Sequence, residues 1–158
     1  FNITPYGTEA MHVLRAEKGY IIVGQETDGS VTPVDLDMNW IVSKKKYDFI
    51  GKRALVRSDT VKEDRKQLVG ILTVDPSIVL EEGSQLVEVE TSLPMPMVGH
   101  ITSSYYSPNL GRSIALALVK SGTKKKGVKL IVPTLSKSVE VEITNPVFID
   151  PQNERLLA

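Results

Sequence analysis

Six short runs rich in β-branched and other apolar residues follow one another in the second part of the chain, at 68–74, 86–91, 98–105, 113–119, 128–133 and 138–144. Clusters of Gly, Pro, Ser or Lys bound each run, and such residues punctuate strands rather than continue them. Val87-Glu88-Val89-Glu90 and Val139-Glu140-Val141-Glu142 alternate apolar and acidic residues, as half-buried strands do. Six short strands must dispose of their open edges, and closing into a small barrel or stacking as a sandwich achieves this. The expectation for this part of the chain is a small six-stranded β-barrel or sandwich.

The residues before it read differently. Thr8 is placed to cap a helix running to about Lys18, with Glu9 in the first turn, where the helix dipole favours an anion, and Gly19 at its end. Ala10, Val13 and Leu14 supply its apolar stripe. Tyr20-Ile21-Ile22-Val23 reads as a short strand and Asp28-Gly29 as a turn. A second helix starts at Asp48, packs Phe49, Ile50 and Leu55, and ends near Arg57. The polar, charged stretch 59–66 reads as a linker and 151–158 as a tail. The fold class is therefore α+β, mostly β.

Charge narrows the function classes. There are 19 basic and 19 acidic residues, so a general attraction to nucleic acid or anionic membrane is not expected. Residues 41–66, with nine basic and four acidic groups, are the exception and suggest a connecting or partner-facing surface. The absence of cysteine removes disulfides, thiolate metal sites and a cysteine nucleophile, and fits a reducing, cytoplasmic setting. Apolar runs fall short of the roughly 20 residues a membrane helix requires. A start at Phe1 rather than methionine suggests a piece of a longer protein.

No residue cluster forms a self-sufficient catalytic constellation. His12 and His100 lack the partner three or four residues away that zinc spacing needs. Asp35 and Asp37 follow Pro33 and read as turn hydrogen-bonding groups rather than an acid/base pair. Lys44-Lys45-Lys46 and Lys124-Lys125-Lys126 have no interleaved aromatic run and read as solvated surface, the second in a hairpin-like loop at 122–127. Gly111-Arg112-Ser113 lacks phosphate-loop spacing. Strand alternation puts His100 and Ser104 on one face, four residues apart, too far to hydrogen-bond. Trp40, Tyr20, Tyr105 and Tyr106 can wall a flat heterocycle, although core packing is the commoner use of such residues. Read from the residues alone, the chain is a binding or structural module with no metal site.

Seven short motifs add to this by their order. They are Leu14-Arg15-Ala16-Glu17-Lys18-Gly19-Tyr20, Thr32-Pro33, Trp40, Asp48-Phe49-Ile50-Gly51-Lys52-Arg53-Ala54-Leu55, Gly99-His100-Ile101-Thr102-Ser103-Ser104, Ser107-Pro108-Asn109-Leu110-Gly111 and Ser113-Ile114-Ala115-Leu116-Ala117. Together they resemble the C-terminal part of folate-dependent aminomethyltransferases, the glycine cleavage T-protein family, and within it the α subunits of heterotetrameric sarcosine oxidases. Gly7-Thr8-Glu9-Ala10-Met11-His12 and Asn145-Pro146-Val147-Phe148-Ile149-Asp150-Pro151 carry the same likeness.

The resemblance implies that residues 1–58 end an aminomethyltransferase-type folate domain and that 67–150 are its C-terminal barrel. It also implies oxidative demethylation of sarcosine to glycine, with a one-carbon unit passed to tetrahydrofolate. The parent complex would carry NAD, FAD and FMN in other regions. Its partners would be the remaining subunits and the upstream α-subunit domains, with neither nucleic acid nor membrane. Tyr20 matches an aromatic wall position and Trp40 the motif tryptophan, so both are expected beside the folate cofactor, with no catalytic residue in this segment. Met11 stands where T-proteins carry an arginine for the folate glutamate tail, which argues against an ordinary T-protein. The alternatives are a T-protein or dimethylglycine dehydrogenase tail, and a non-enzymatic β-barrel binding module.

Overall fold

The structure, a computed structural model, describes residues 3–135, 137–155 and 157. Helix α1 (Thr8–Glu17) is followed by two 3-10 turns, Asn39–Ile41 and Lys52–Val56. Strands β1 (Lys66–Thr73), β2 (Gln85–Val87), β3 (Met97–Ser107), β4 (Arg112–Lys120), β5 (Lys129–Pro133) and β6 (Ser138–Thr144) come next, with a 3-10 turn Gly122–Lys124 between β4 and β5. The strands close a barrel in the order β1-β4-β3-β2-β5-β6, every pairing antiparallel, with β6 returning to β1. Closure removes the open edges that six short strands would otherwise expose.

The alternation that marked the strands fills the barrel. In β6, Val139, Val141 and Ile143 point inward while Glu140 and Glu142 stay exposed. Val69, Ile71, Leu86, Ile101, Ala115, Ala117, Val119, Leu130 and Val132 complete the interior, and Leu80 from the β1–β2 connection joins them. Strand β4 is buried from Ser113 to Val119 because both its faces are covered. Ala115, Ala117 and Val119 line the inside, whereas Leu116 and Leu118 pack outside with Leu68 and Leu36 against Ile21, Val31, Met38 and Phe148. The segment before the barrel is thus a cover for the outer face of β1 and β4.

Several local expectations change. Gly7, not Thr8, is the N-cap of α1, and no side chain caps it. The helix buries Arg15, Ala16 and Glu17 rather than an apolar stripe, and Leu14 is exposed. Residues 20–23 form no strand; they make one isolated bridge, Val23 to Thr27. The second helix is only the 3-10 turn Lys52–Val56, and Ile50 before it is fully exposed. Strand β2 stops at Val87, leaving Val89 in solvent. The 122–127 loop is no hairpin, since β5 pairs with β2 and β6 while β4 pairs with β1 and β3. No helix among the described residues is long and apolar enough to cross a membrane.

The chain after β6 turns back over the barrel to reach α1. It crosses at Gly70, where an added Cβ would strike the Asn145 carbonyl and the Phe148 ring. It meets α1 at Gly19, whose φ of +70° suits glycine and whose Cβ position lies 2.6 Å from the Pro146 carbonyl oxygen. Phe148 and Ile149 then donate their amides to the Glu17 carbonyl at 2.9 and 3.0 Å, satisfying a helix-end acceptor.

Candidate functional site

Two motifs that carried no chemistry of their own turn out to face each other. The end of α1 supplies Arg15 and Glu17, and β3 supplies Ser103, Tyr105 and Ser107. Arg15 donates to Glu26 Oε2 at 2.9 Å, to Ser103 Oγ at 2.6 Å and to Gln25 Oε1 at 3.1 Å. Ser103 in turn donates to Glu26 Oε1 at 2.5 Å. Glu26 is 0% exposed and Arg15 8%, so this is a buried ion pair whose carboxylate is fully paired. The Arg15 guanidinium also lies 5.8 Å from the Tyr105 ring centre. Two residues along the helix, Glu17 accepts from Ser107 Oγ at 2.5 Å and from Asn109 Nδ2 at 2.8 Å.

A bulge in β3 makes this possible. Ile101 pairs with Ala117, yet Ser103 pairs with Leu116, so Thr102 is an extra residue on β3. Before it, Gly99 and Ile101 face the interior side with Val119 and Ala117. After it, Ser103 shares the outer face with Leu116, and Ser103, Tyr105 and Ser107 all reach the helix side. The bulge also overturns the expected facing of His100 and Ser104. His100 pairs with Leu118 on the outside, while Ser104 pairs with Ala115 and accepts the buried Leu80 amide at 3.1 Å.

The same ion pair shapes the loop after the helix. Arg15 donates to the Tyr20 carbonyl at 3.2 Å, and the Ile22 amide donates to Glu26 Oε2 at 2.8 Å. Tyr20 thereby borders a half-open groove of about 490 Å³, lined also by Tyr6, Met11, Leu14 and Ile149, with Lys18, Asp150 and Arg155 at its charged side. Lys18 is paired with Asp150 at 3.0 Å. Apolar walls with a few polar groups are what a small-molecule site needs. Tyr20 is 52% exposed and Trp40 78%, so neither is core. Trp40 sits on the Asn39–Ile41 turn and does not line the groove with Tyr20. Tyr106 is likewise exposed.

The remaining expected groups are structural. Asp35 accepts from the Thr32 amide and hydroxyl, both at 2.8 Å, as a turn residue should, and Arg65 adds a contact at 2.6 Å. Burial acts to raise its pKa, but the Arg65 and Thr32 hydrogen bonds outweigh that and hold the carboxyl below its ordinary value. His100 is pushed below the usual imidazole value by burial first and by the neighbouring Lys66 second. His12 lies alongside the Tyr105 ring, 6.3 Å between centres. Lys124 and Lys125 pair with Glu63 and Glu88, and Lys44-Lys45-Lys46 are exposed. Among the described residues no cluster of His, Asp and Glu could hold a metal ion.

Comparison with known proteins places these parts in one lineage. Residues 66–150 match the glycine cleavage T-protein C-terminal barrel domain, and residues 1–46 match the GCVT N-terminal domain. A sarcosine oxidase subunit alpha from Corynebacterium sp. (strain P-1) is 54% identical over 98% of this chain, which spans only 16% of that protein's length. An aminomethyltransferase from Thermotoga neapolitana is 35% identical over 91% of the chain and 37% of its own. The crystal structure of glycine cleavage system aminomethyltransferase T from Bartonella henselae superposes with a TM-score of 0.75 at 22% identity, over 89% of this chain and 38% of that one, and so shares the fold. Arg15, Glu17 and Glu26 lie within the 1–46 match and Ser103, Tyr105 and Ser107 within the 66–150 match, so their contacts join two parts of one known architecture, and the chain belongs to the glycine cleavage T-protein family.

Proposed function

We propose that this chain is the C-terminal region of a sarcosine oxidase α subunit and that it walls part of a tetrahydrofolate cavity without being catalytic alone. The observation that carries this reading is the 54% identity to such a subunit, spread over 98% of the chain rather than confined to the barrel. The groove supports it from the side of chemistry. Tyr6 and Tyr20 offer flat apolar faces, Met11 and Leu14 an aliphatic floor, and Arg155 a cation for an anionic tail that Met11 cannot hold. These residues fit a flat heterocycle bearing a carboxylate. Bound tetrahydrofolate would supply the acceptor for a one-carbon unit. The chain's own residues would orient it and exclude water, since a reactive fragment released to solvent would be lost.

The parent complex would oxidise sarcosine to glycine elsewhere, using NAD, FAD and FMN held by upstream domains and other subunits, in the cytoplasm. The segment 1–58 would end the folate domain and 67–150 would form the appended barrel, joined by 59–66. Trp40, Tyr47 and Ile50, all strongly exposed, would then be covered by the rest of the subunit, with Trp40 facing the part of the cavity that this chain does not build. The test uses the assembled enzyme. Sarcosine should drive peroxide formation, and free formaldehyde should fall when tetrahydrofolate is added. Absence of sarcosine-dependent peroxide would contradict the oxidase reading, and formaldehyde unaffected by folate would contradict the one-carbon coupling.

A further inference from the structure

The backbone that presents Tyr20 belongs to no helix or strand. Its position therefore rests on a few local backbone bonds, among them those from the Gln25 and Glu26 amides to the Ile22 carbonyl, and on side chains. The Tyr20 amide is held by the Arg15 carbonyl at 2.8 Å and the Tyr20 carbonyl by the Arg15 guanidinium at 3.2 Å. Two residues on, the Ile22 amide is held by Glu26 at 2.8 Å. Both ends of the 20–22 segment are thus tied to the two members of one buried ion pair. That pair has a third member, from a strand 77 residues beyond Glu26 and 88 beyond Arg15 in the chain. Ser103 accepts from Arg15 and donates to Glu26, so its single hydroxyl bridges the cation and the anion. Glu26 is fully buried, and Ser103 is the donor to its Oε1, while Arg15 and the Ile22 amide both go to Oε2. Without the hydroxyl, Oε1 would be an unsatisfied buried anionic oxygen, and the carboxylate would turn to share its donors.

We propose that Ser103 is a positioning residue for the groove: through the Arg15–Glu26 pair, the barrel fixes the backbone of residues 20–22 and hence the aromatic wall formed by Tyr20. The inference rests on the reading of Tyr20 as a folate-contacting side chain. It assigns the barrel a role in the affinity of a site to which, among the described residues, its strands contribute no wall: Asn109 lies just beyond β3, and Ile149 and Asp150 lie beyond β6. Ser107 provides an internal comparison. It lies on the same face of β3 and makes the same kind of short bond to a buried carboxylate, Glu17, but touches neither member of the ion pair that holds 20–22.

The experiment is a double-mutant cycle in the assembled enzyme, with tetrahydrofolate affinity measured by equilibrium binding and sarcosine-driven flavin reduction by stopped flow. Ser103→Ala is expected to weaken folate about tenfold, as expected for losing one charge-assisted contact, and to leave flavin reduction unchanged. In a Tyr20→Ala background the same substitution should have no further effect on folate, because the wall it positions is gone. Ser103→Thr, which keeps the hydroxyl, should retain affinity, and Ser107→Ala should lower the melting temperature without the tenfold loss. Glu26→Gln, which keeps the shape and removes the charge, gives a second route to the selective loss if Ser103→Ala does not assemble. Equal losses from Ser103→Ala in both backgrounds, or an equal loss from Ser107→Ala, would overturn the positioning role in favour of general stability. Tyr20→Ala without any effect on folate would overturn the underlying reading of the groove. A loss from Tyr20→Ala with none from Ser103→Ala would overturn only the inference about Ser103.

Discussion

At the scale of single residues, the structure is governed by a few buried polar groups whose loss has a calculable sign. Glu26→Ala would leave Arg15 charged and buried without its partner, and the cost of such a break is about 3–5 kcal/mol. Urea unfolding should show that loss, and a change below about 1 kcal/mol would mean water replaces the carboxylate freely. Gly19→Ala combines a left-handed backbone with a collision at the Pro146 carbonyl, so it should cost more than the roughly 1 kcal/mol of the backbone effect alone. His100 gives a pH signature. Its folded pKa lies below 6.5, so the unfolded chain binds the proton more readily and stability falls as pH drops from 6.5 through the folded value. Lys66 opposes that proton and Asp28 favours it, but burial is the largest influence. His100→Gln should therefore lose less stability than the wild type between pH 7 and 5 by chemical denaturation, and identical losses would show that His100 is not a source of the acid sensitivity.

At the scale of elements, the bulge at Thr102 decides which face of β3 meets α1. Deleting Thr102 would remove only the extra residue, leaving Ile101 opposite Ala117 and Ser103 opposite Leu116, so Ser103, Tyr105 and Ser107 would keep the helix side. The amides of α1 should then keep their protection from solvent exchange, and exchange at the rate of a frayed helix would contradict an insertion that only sets the phase of the strand. This bulge also explains what the sequence hid. The strand positions were legible because Val, Ile and Leu repeat with period two between turn residues, and β1, β3, β4 and β6 lie close to the runs that announced them. The phase within β3 was not legible, because one inserted residue inverts it without altering composition. Arg15 and Glu17 stood in the sequence only as members of a motif, because Ser103 and Ser107, which they meet, lie about ninety residues away in the chain. The 48–57 segment failed as a helix because its apolar residues are only partly covered here; Phe49 and Leu55 are half-buried, while Ile50 and Val56 face solvent. Tyr20 was singled out from family likeness, and the groove beside it could not be seen until the 145–150 return over Gly70 brought Ile149 and Asp150 to its rim.

At the scale of the whole molecule, a closed barrel with a well-filled interior supports an outer layer that is only partly finished. Trp40 is exposed just before the stretch that carries the excess of basic residues, and Tyr47, Ile50 and Val56 are exposed within it. In a chain spanning 16% of its oxidase relative, such a surface fits burial against the remainder of a larger subunit. Replacing Trp40 and Ile50 together by Ser should change the stability of this chain by no more than about 0.5 kcal/mol. The same change in the full subunit should reduce the yield of assembled enzyme in size-exclusion chromatography, and unchanged assembly would remove this surface from the interface. The central claim is that the groove beside α1 is part of a folate cavity in an oxidase, and it is tested most directly by tetrahydrofolate binding to the assembled enzyme with and without Tyr20→Ala. The account predicts about tenfold weaker binding, the scale of one lost aromatic contact, with sarcosine-driven flavin reduction intact. Equal folate affinity in the two proteins would contradict it.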